Sequence, residues 1–197
     1  MKFSPQHVLT ALAAGLSISA SGLVAAAPAS AAACTNTTLG ALLGTSCTLG
    51  DKTYYDFNST TIFNDATVSF FNVDPFYTIT VQAPTMMAFM PGTTYKLDYK
   101  VKSTDPSSGQ RIKNFSTGAT TSASNTDWTK VLMGTSITPA GVLQTATVSS
   151  PTATSPEVAA VPPALDISFT SELTVGNNFV TSFTDSLTQT TVTETPA

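Results

Sequence analysis

Two carboxylates, Asp51 and Asp56, stand close together at the head of an aromatic-rich stretch. A pair of acids is the least apparatus that can hydrolyse a glycoside, one giving a proton while the other acts as base or nucleophile. A plainer reading stands beside it: Asp51 caps the turn after Gly50, and Asp56 sits on a solvated strand face. With 12 acids in the chain, such pairs arise easily. Other routes to catalysis are closed by composition. The single histidine, His7, falls inside an N-terminal export segment. Its removal takes away Ser-His-Asp and Cys-His nucleophile sites, histidine metal sites and histidine acid–base chemistry together. No Gly-x-Ser-x-Gly elbow, phosphate loop or dinucleotide fingerprint is present. No lysine has a serine three positions before it, and no run carries the alternating Asp/Asn ligands of a calcium loop. The expectation is a protein that is not an enzyme and holds no cofactor or metal.

The 2 cysteines, Cys34 and Cys47, are not in Cys-x-x-Cys spacing, so neither a zinc knuckle nor a redox pair is indicated. The export segment sets their context. Lys2 supplies a positive start, Val8 to Ala27 is apolar or small, and both Ala29-Ser30-Ala31 and Ala31-Ala32-Ala33 fit a small-x-small cleavage site. Residues 1–33 therefore read as a signal peptide and 34–197 as the exported domain. An oxidising compartment favours a Cys34–Cys47 disulfide. The competing reading is lipidation of Cys34, but a lipobox wants a large aliphatic residue three positions earlier, where Ala31 stands.

Net charge is −4 and charged residues make up only 10% of the chain, so serine and threonine carry the polarity. A surface poor in Lys and Arg excludes nucleic acid and electrostatic docking to anionic lipid. No segment of the exported part reads as a membrane anchor.

The elements that would position any site are strands. Tyr95, Leu97, Tyr99 and Val101 alternate with Lys96, Asp98, Lys100 and Lys102, giving one apolar and one solvated face. Leu165, Ile167, Phe169, Leu173 and Val175 do the same against Asp166, Ser168, Thr170, Glu172 and Thr174. Tyr77, Ile79 and Val81 alternate with Phe76, Thr78 and Thr80. Residues 68–73 and 142–148 are further strands. Asp74-Pro75, Pro91-Gly92 and the run from Asp105 to Gly109 read as turns. Phe179, Phe183 and Leu187 suit a helix by their spacing of four, or a strand by parity; the surrounding threonines favour the strand, which places Asp185 on the inner face. The stretch 149–164, with Pro151, Pro156, Pro162 and Pro163, reads as a long exposed loop within one domain. The fold class is all-β, a single antiparallel sandwich, with jelly-roll-like and immunoglobulin-like topologies both open.

Tyr54, Tyr55, Phe57, Phe63, Phe70, Phe71, Phe76 and Tyr77 crowd one quarter of the chain. Core packing is the favoured reading. A flat exposed row would instead bind sugar rings, with Tyr54, Tyr55 and the only tryptophan, Trp128, as the carbohydrate contacts. Trp128 suits a sugar platform and a core plug equally. Asn36-Thr37-Thr38, Asn58-Ser59-Thr60 and Asn114-Phe115-Ser116 match the N-glycan acceptor pattern, and O-glycosylation of the threonine-rich loops is equally open.

The run from Cys47 through Gly50-Asp51-Lys52 to Tyr54-Tyr55-Asp56-Phe57 resembles the opening of the mature domain in a group of PEP-CTERM proteins, secreted by exopolysaccharide-making bacteria, cyanobacteria among them. Tyr95 to Val101 is similar to that group's middle strand. Leu173-Thr174-Val175 and the run from Phe183 to Gln189 are similar to its closing strands. The group would continue into a Val-Pro-Glu-Pro motif, a membrane span and a basic end, whereas this sequence ends at Glu194-Thr195-Pro196-Ala197; it reads as a free secreted relative or a shortened form. The resemblance implies a surface or matrix role and carries no catalytic residues. The expected function is a non-enzymatic extracellular matrix or cell-surface protein, associated with exopolysaccharide; the alternative is a carbohydrate-binding module.

Overall fold

The computed structural model describes residues 31–121 and 126–192. His7 and the export segment up to residue 30 lie outside them, as do the C-terminal residues from 193 onward. In chain order the elements are β1 (Ala32–Ala33), β2 (Thr37–Thr38), a one-turn helix α1 (Leu39–Leu42), β3 (Ser46–Leu49), β4 (Lys52–Asn58), β5 (Thr67–Val73), β6 (Phe76–Gln82), β7 (Thr93–Ser103), β8 (Gln110–Thr121), β9 (Asp127–Thr138), β10 (Leu143–Ser149), β11 (Val158–Ala164), β12 (Asp166–Asn177) and β13 (Val180–Thr191). They form a sandwich. One sheet runs β1-β3-β4-β7-β12-β9-β10, and the other β11-β8-β13-β6-β5-β2. Every pairing is antiparallel except the two-residue bridge of β1 to β3, which is parallel.

Alternation decides which face is inside. On β7 Tyr95, Leu97, Tyr99 and Val101 are buried, and on β12 Ile167, Phe169, Leu173 and Val175 join them. The two strands are direct neighbours, Phe169 opposite Tyr99 and Leu173 opposite Tyr95. Leu165, expected on this face, precedes β12 and is only partly buried. Ser171 takes the intervening inward position and is fully buried.

The inner face of β9 is unusual. Trp128, Lys130, Leu132, Gly134 and Ser136 all point in. Gly134 lies where two rings converge: a Cβ there would come within 2.9 Å of both Phe115 and Phe169.

Strict alternation from Tyr54 would bring Asp56 inside. A bulge between Tyr55 and Asn58 prevents this, with Asp56 at φ +54°, a left-handed conformation that aspartate tolerates. The extra residue turns Asp56 outward and seats Phe57, like Tyr54, against Phe70 and Tyr99.

The stretch 149–164 corrects the expectation of one long loop. Its second half is the edge strand β11, which pairs with β8 on both sides of a register shift between Ala159 and Ala164. Pro162 and Pro163 fall inside that shift, where no ladder hydrogen bond is asked of them, and an edge strand is where proline is tolerated. Ala160 and Ala164 are buried. The segment 179–187 is strand, not helix: Phe183 and Leu187 are buried on β13, with Asp185 between them, while Phe179 lies before the strand and is 45% exposed.

Cys34 and Cys47 form a disulfide, Cα to Cα 4.8 Å, and the Cys34 amide donates to the Thr48 carbonyl at 2.8 Å. The bond fastens the N-terminal segment to β3. With a sequence separation of 13, opening it is expected to cost roughly 3 kcal/mol in the chain-entropy treatment. Urea unfolding of oxidised protein and of a Cys34→Ser/Cys47→Ser variant measures this; equal midpoints would mean that the N-terminal segment contributes nothing to the cooperative unit. A disulfide fits a non-reducing compartment. No helix of the described residues is long and apolar enough to cross a membrane.

Candidate functional site

Asp51 and Asp56 are engaged by different partners. Asp51 lies in the turn between β3 and β4, and both its oxygens are engaged: Oδ2 accepts from Lys52 Nζ at 2.7 Å and Oδ1 accepts from the Tyr77 hydroxyl. Lys52, itself 1% exposed, also donates to Gln189 and sits 5.0 Å from the centre of the Tyr77 ring. Burial pushes the Lys52 amine below its ordinary range, against the pull of Asp51. Asp56 is exposed on the outer side of the bulge and pairs with Lys100 at 2.8 Å. Each carboxylate is thus held by its own lysine, one in a turn and one on a strand face.

The proposed sugar contacts also move. Tyr54 is fully buried, and Trp128 is 4% exposed at the start of β9, so neither offers a ring face to solvent. The cause is parity: both point into the sandwich on strands whose other face is wet. Tyr55 is on the outer face and partly buried. Its hydroxyl donates to Asp166, and Lys100 and Lys102 lie 5.7 and 5.0 Å from its ring centre. Among the described residues the exposed aromatics are Phe179, before β13, and Phe71 at 62% and Phe76 at 50%, on the solvent side of the β5–β6 hairpin with Val73. Phe76 was legible, standing opposite in parity to Tyr77, Ile79 and Val81. Phe71 follows from its neighbour Phe70, which faces the core.

The Tyr54 hydroxyl is buried without a hydrogen-bond partner among the described residues. Removing an unsatisfied buried hydroxyl relieves its desolvation cost. Tyr54→Phe is therefore expected to be neutral or to stabilise by up to about 1 kcal/mol, read from the denaturation midpoint. A loss of more than that size would show a partner for the hydroxyl.

The most developed polar constellation was not legible as a unit. Lys130 on β9 and Asp185 on β13 meet between the sheets, Nζ to Oδ1 3.0 Å, at 0% and 1% side-chain exposure. Lys130 Nζ also donates to the Ser171 hydroxyl and lies 4.8 Å from the centre of the Phe183 ring. Asp185 accepts from the Thr117 hydroxyl at 2.6 Å on Oδ1 and from the Tyr99 hydroxyl at 3.3 Å on Oδ2. Five residues on five strands thus close one buried network. Among the described residues Asp185 is the one carboxylate in the buried set. Burial pushes the Lys130 amine below its ordinary range, and the Asp185 charge opposes this. Burial, followed by the Asp185 charge, holds the Tyr99 phenol well above its own.

These shifts predict an alkaline limit. Tyr54, Tyr55, Tyr77 and Tyr99 all have their phenols raised above 10, burial being the first cause in each. In the unfolded chain they release protons near pH 10 while the native state keeps them, so this stability is whole below pH 10 and is lost above it. Lys52 acts oppositely: its native pKa is lowered, so its contribution rises with pH until the unfolded amine titrates near 10.5. Stability is expected to fall steeply above about pH 10, with phenolate absorbance at the same midpoint. Tyrosines ionising well before unfolding would contradict it.

No protein-family model matches the chain, and no curated protein matches it either. Among the described residues no group of three or more His, Cys, Asp and Glu side chains is placed to hold a metal ion.

Proposed function

We propose that this is a secreted, non-enzymatic structural protein of the extracellular matrix or cell surface, of PEP-CTERM type and associated with exopolysaccharide. The observation that carries it is the placement of the Lys130–Asp185 network. The richest cluster of reactive groups among the described residues is closed between two sheets, where it joins strands and meets no solvent. Such a cluster serves cohesion rather than turnover. Two further features support the reading. The disulfide fits an exported chain. The outward faces carry hydroxyl pairs across strands, Thr80 with Thr184 at 3.0 Å, Thr94 with Thr174 at 3.0 Å and Thr129 with Ser149 at 3.2 Å, which suit a polyol surface without a charged shell. Of the two cleavage positions, the one after Ala31 leaves β1 whole.

A carbohydrate-binding module is the second reading, favoured by Phe71 and Phe76 exposed together on one hairpin. One experiment addresses both. The producing cells and their medium are fractionated, and the purified protein is sedimented with the exopolysaccharide while reducing ends are counted. Recovery in the extracellular fraction, with no release of reducing ends, is expected. Co-sedimentation abolished by Phe71→Ala and Phe76→Ala would move the assignment to a binding module. Steady release of reducing ends, abolished by Asp56→Asn, or confinement of the protein to the cytosol, would overturn the proposal.

A further inference from the structure

We propose that the Lys130 amine and the Asp185 carboxyl condense within the folded domain to an amide, an isopeptide cross-link tying β9 of one sheet to β13 of the other. The two groups are already in contact at 3.0 Å, and the only solvent between them would be what the reaction itself makes, since both side chains are sealed from outside. Each is held by a strand with neighbours on both sides, β9 between β12 and β10, β13 between β8 and β6. A fixed, dry encounter of this kind turns a bimolecular condensation into an intramolecular one, and effective molarities for such reactions are very large.

The steps balance without a co-reactant. One proton passes from the ammonium across the 3.0 Å contact to the carboxylate, leaving a neutral amine and a carboxylic acid. The nitrogen lone pair attacks Cγ and forms the N–C bond. A second proton leaves nitrogen for the hydroxyl on Cγ, the C–O bond breaks, and that oxygen departs as water. One hydrogen remains on the amide nitrogen. Nothing is oxidised or reduced.

The surroundings are suited to each step. Burial lowers the amine's affinity for its proton, which favours the nucleophilic form. The Ser171 hydroxyl accepts from Nζ and orients it. The Tyr99 and Thr117 hydroxyls, 3.3 and 2.6 Å from the carboxyl oxygens, are donors aimed where negative charge gathers as Cγ becomes tetrahedral. The Phe183 ring beside Nζ and the Leu187 side chain next along β13 keep the pocket apolar. The bond would join two strands whose contacts are otherwise non-covalent, in a part of the sandwich the Cys34–Cys47 bridge does not reach. The inference is independent of the functional reading above.

The sequence gives a direct test, because no lysine or arginine follows Lys130. Trypsin cannot cut after a lysine whose amine is acylated. The wild-type protein, reduced and denatured, is expected to weigh less than its sequence by one water. Its tryptic digest should then contain one peptide starting at Asn114 and running past Lys130 to the C-terminus, lighter by the same water. Chymotrypsin should open that peptide into a branched pair joined through Lys130 and Asp185. Lys130→Arg and Asp185→Ala are each expected to show full mass and no branched peptide. Full mass and free cleavage after Lys130 in wild-type protein that has stood folded for days would overturn the proposal, and this reading does not depend on either variant folding. A missing water mapped to any other pair of residues would overturn it equally.

Discussion

Asp185→Ala is expected to destabilise the domain by about 3–5 kcal/mol, because it leaves the Lys130 ammonium buried without its counter-charge. The environment sets the size. Lys130 is 0% exposed, and its remaining hydrogen-bond acceptors are the Ser171 hydroxyl and the Val131 carbonyl, the latter at a distant 3.4 Å, with the Phe183 ring beside them. The Thr117 and Tyr99 hydroxyls lose an acceptor in the same substitution, although Thr117 keeps a bond to the Thr184 carbonyl at 3.1 Å. A buried ion pair is a different matter when both partners go. Desolvation of two charges offsets most of their attraction, so replacement of both by apolar side chains is often neutral. Lys130→Met/Asp185→Leu is therefore expected to recover most of the loss if the pair is only ionic. If the amide has formed, the single and double variants alike lack a cross-link, which the chain-entropy treatment puts at roughly 4 kcal/mol relative to wild type, and in the single variant this adds to the loss of the counter-charge. Urea midpoints of wild type, both single variants and the double variant measure these differences. Single losses under about 0.5 kcal/mol would mean that water reaches the pair.

That pair also marks the limit of what the sequence discloses. The inward position of Asp185 follows from parity with Phe183 and Leu187, and β13 obeys it. Its partner does not follow, because β9 gives no apolar alternation. Its inward residues include a lysine, a glycine and a serine, each there for a tertiary reason: Lys130 meets Asp185, Gly134 admits two rings, and Ser136 donates to the Pro162 carbonyl at 3.3 Å. Hydrophobic periodicity reports a strand only where the opposite sheet asks for apolar atoms. Strands β7, β12 and β6 carry apolar residues at most of their inward positions and were readable; β9, with Lys130, Gly134 and Ser136 inward, and β8, with Thr117 and Ala119 inward beside Phe115, were not. The β4 bulge defeats periodicity differently. It shifts parity by one between Tyr55 and Asn58, so the inward step from Tyr54 to Phe57 cannot be told from a loop by spacing alone. Pro162 and Pro163 hid β11 because proline argues against a central strand and says little about an edge. As for the candidate sites, the disulfide was readable, since a chain with two cysteines offers only one intramolecular pairing. For the aromatics the favoured core-packing reading describes Tyr54, and Trp128, for which spacing left platform and core plug open, is buried as well.

Phe169→Ala is expected to cost about 3–5 kcal/mol, the range for truncating a buried aromatic side chain. Phe169 is fully buried on β12, the strand that sits between β7 and β9. Its ring meets Tyr99 of the same sheet at 5.4 Å and Phe115 of the facing sheet edge-on at 5.3 Å, so it belongs to both layers. Gly134, directly opposite Phe169 on β9, supplies the space the two rings fill. The cavity left by truncation therefore opens beside a residue with no side chain to collapse into it, and the cost belongs near the upper end of the range. The converse change tests the same contact. Gly134→Ala drives a methyl to within 2.9 Å of both rings and is expected to cost about 1–3 kcal/mol as overpacking. Placed together, the two substitutions should compensate, since the new methyl enters the space that the lost ring vacates. The double variant is expected to be more stable than the sum of the single losses implies, by about 1 kcal/mol or more for residues in direct contact. Strict additivity in equilibrium unfolding would show that Gly134 and Phe169 do not share one packing site, and would place the tight contact of the core elsewhere.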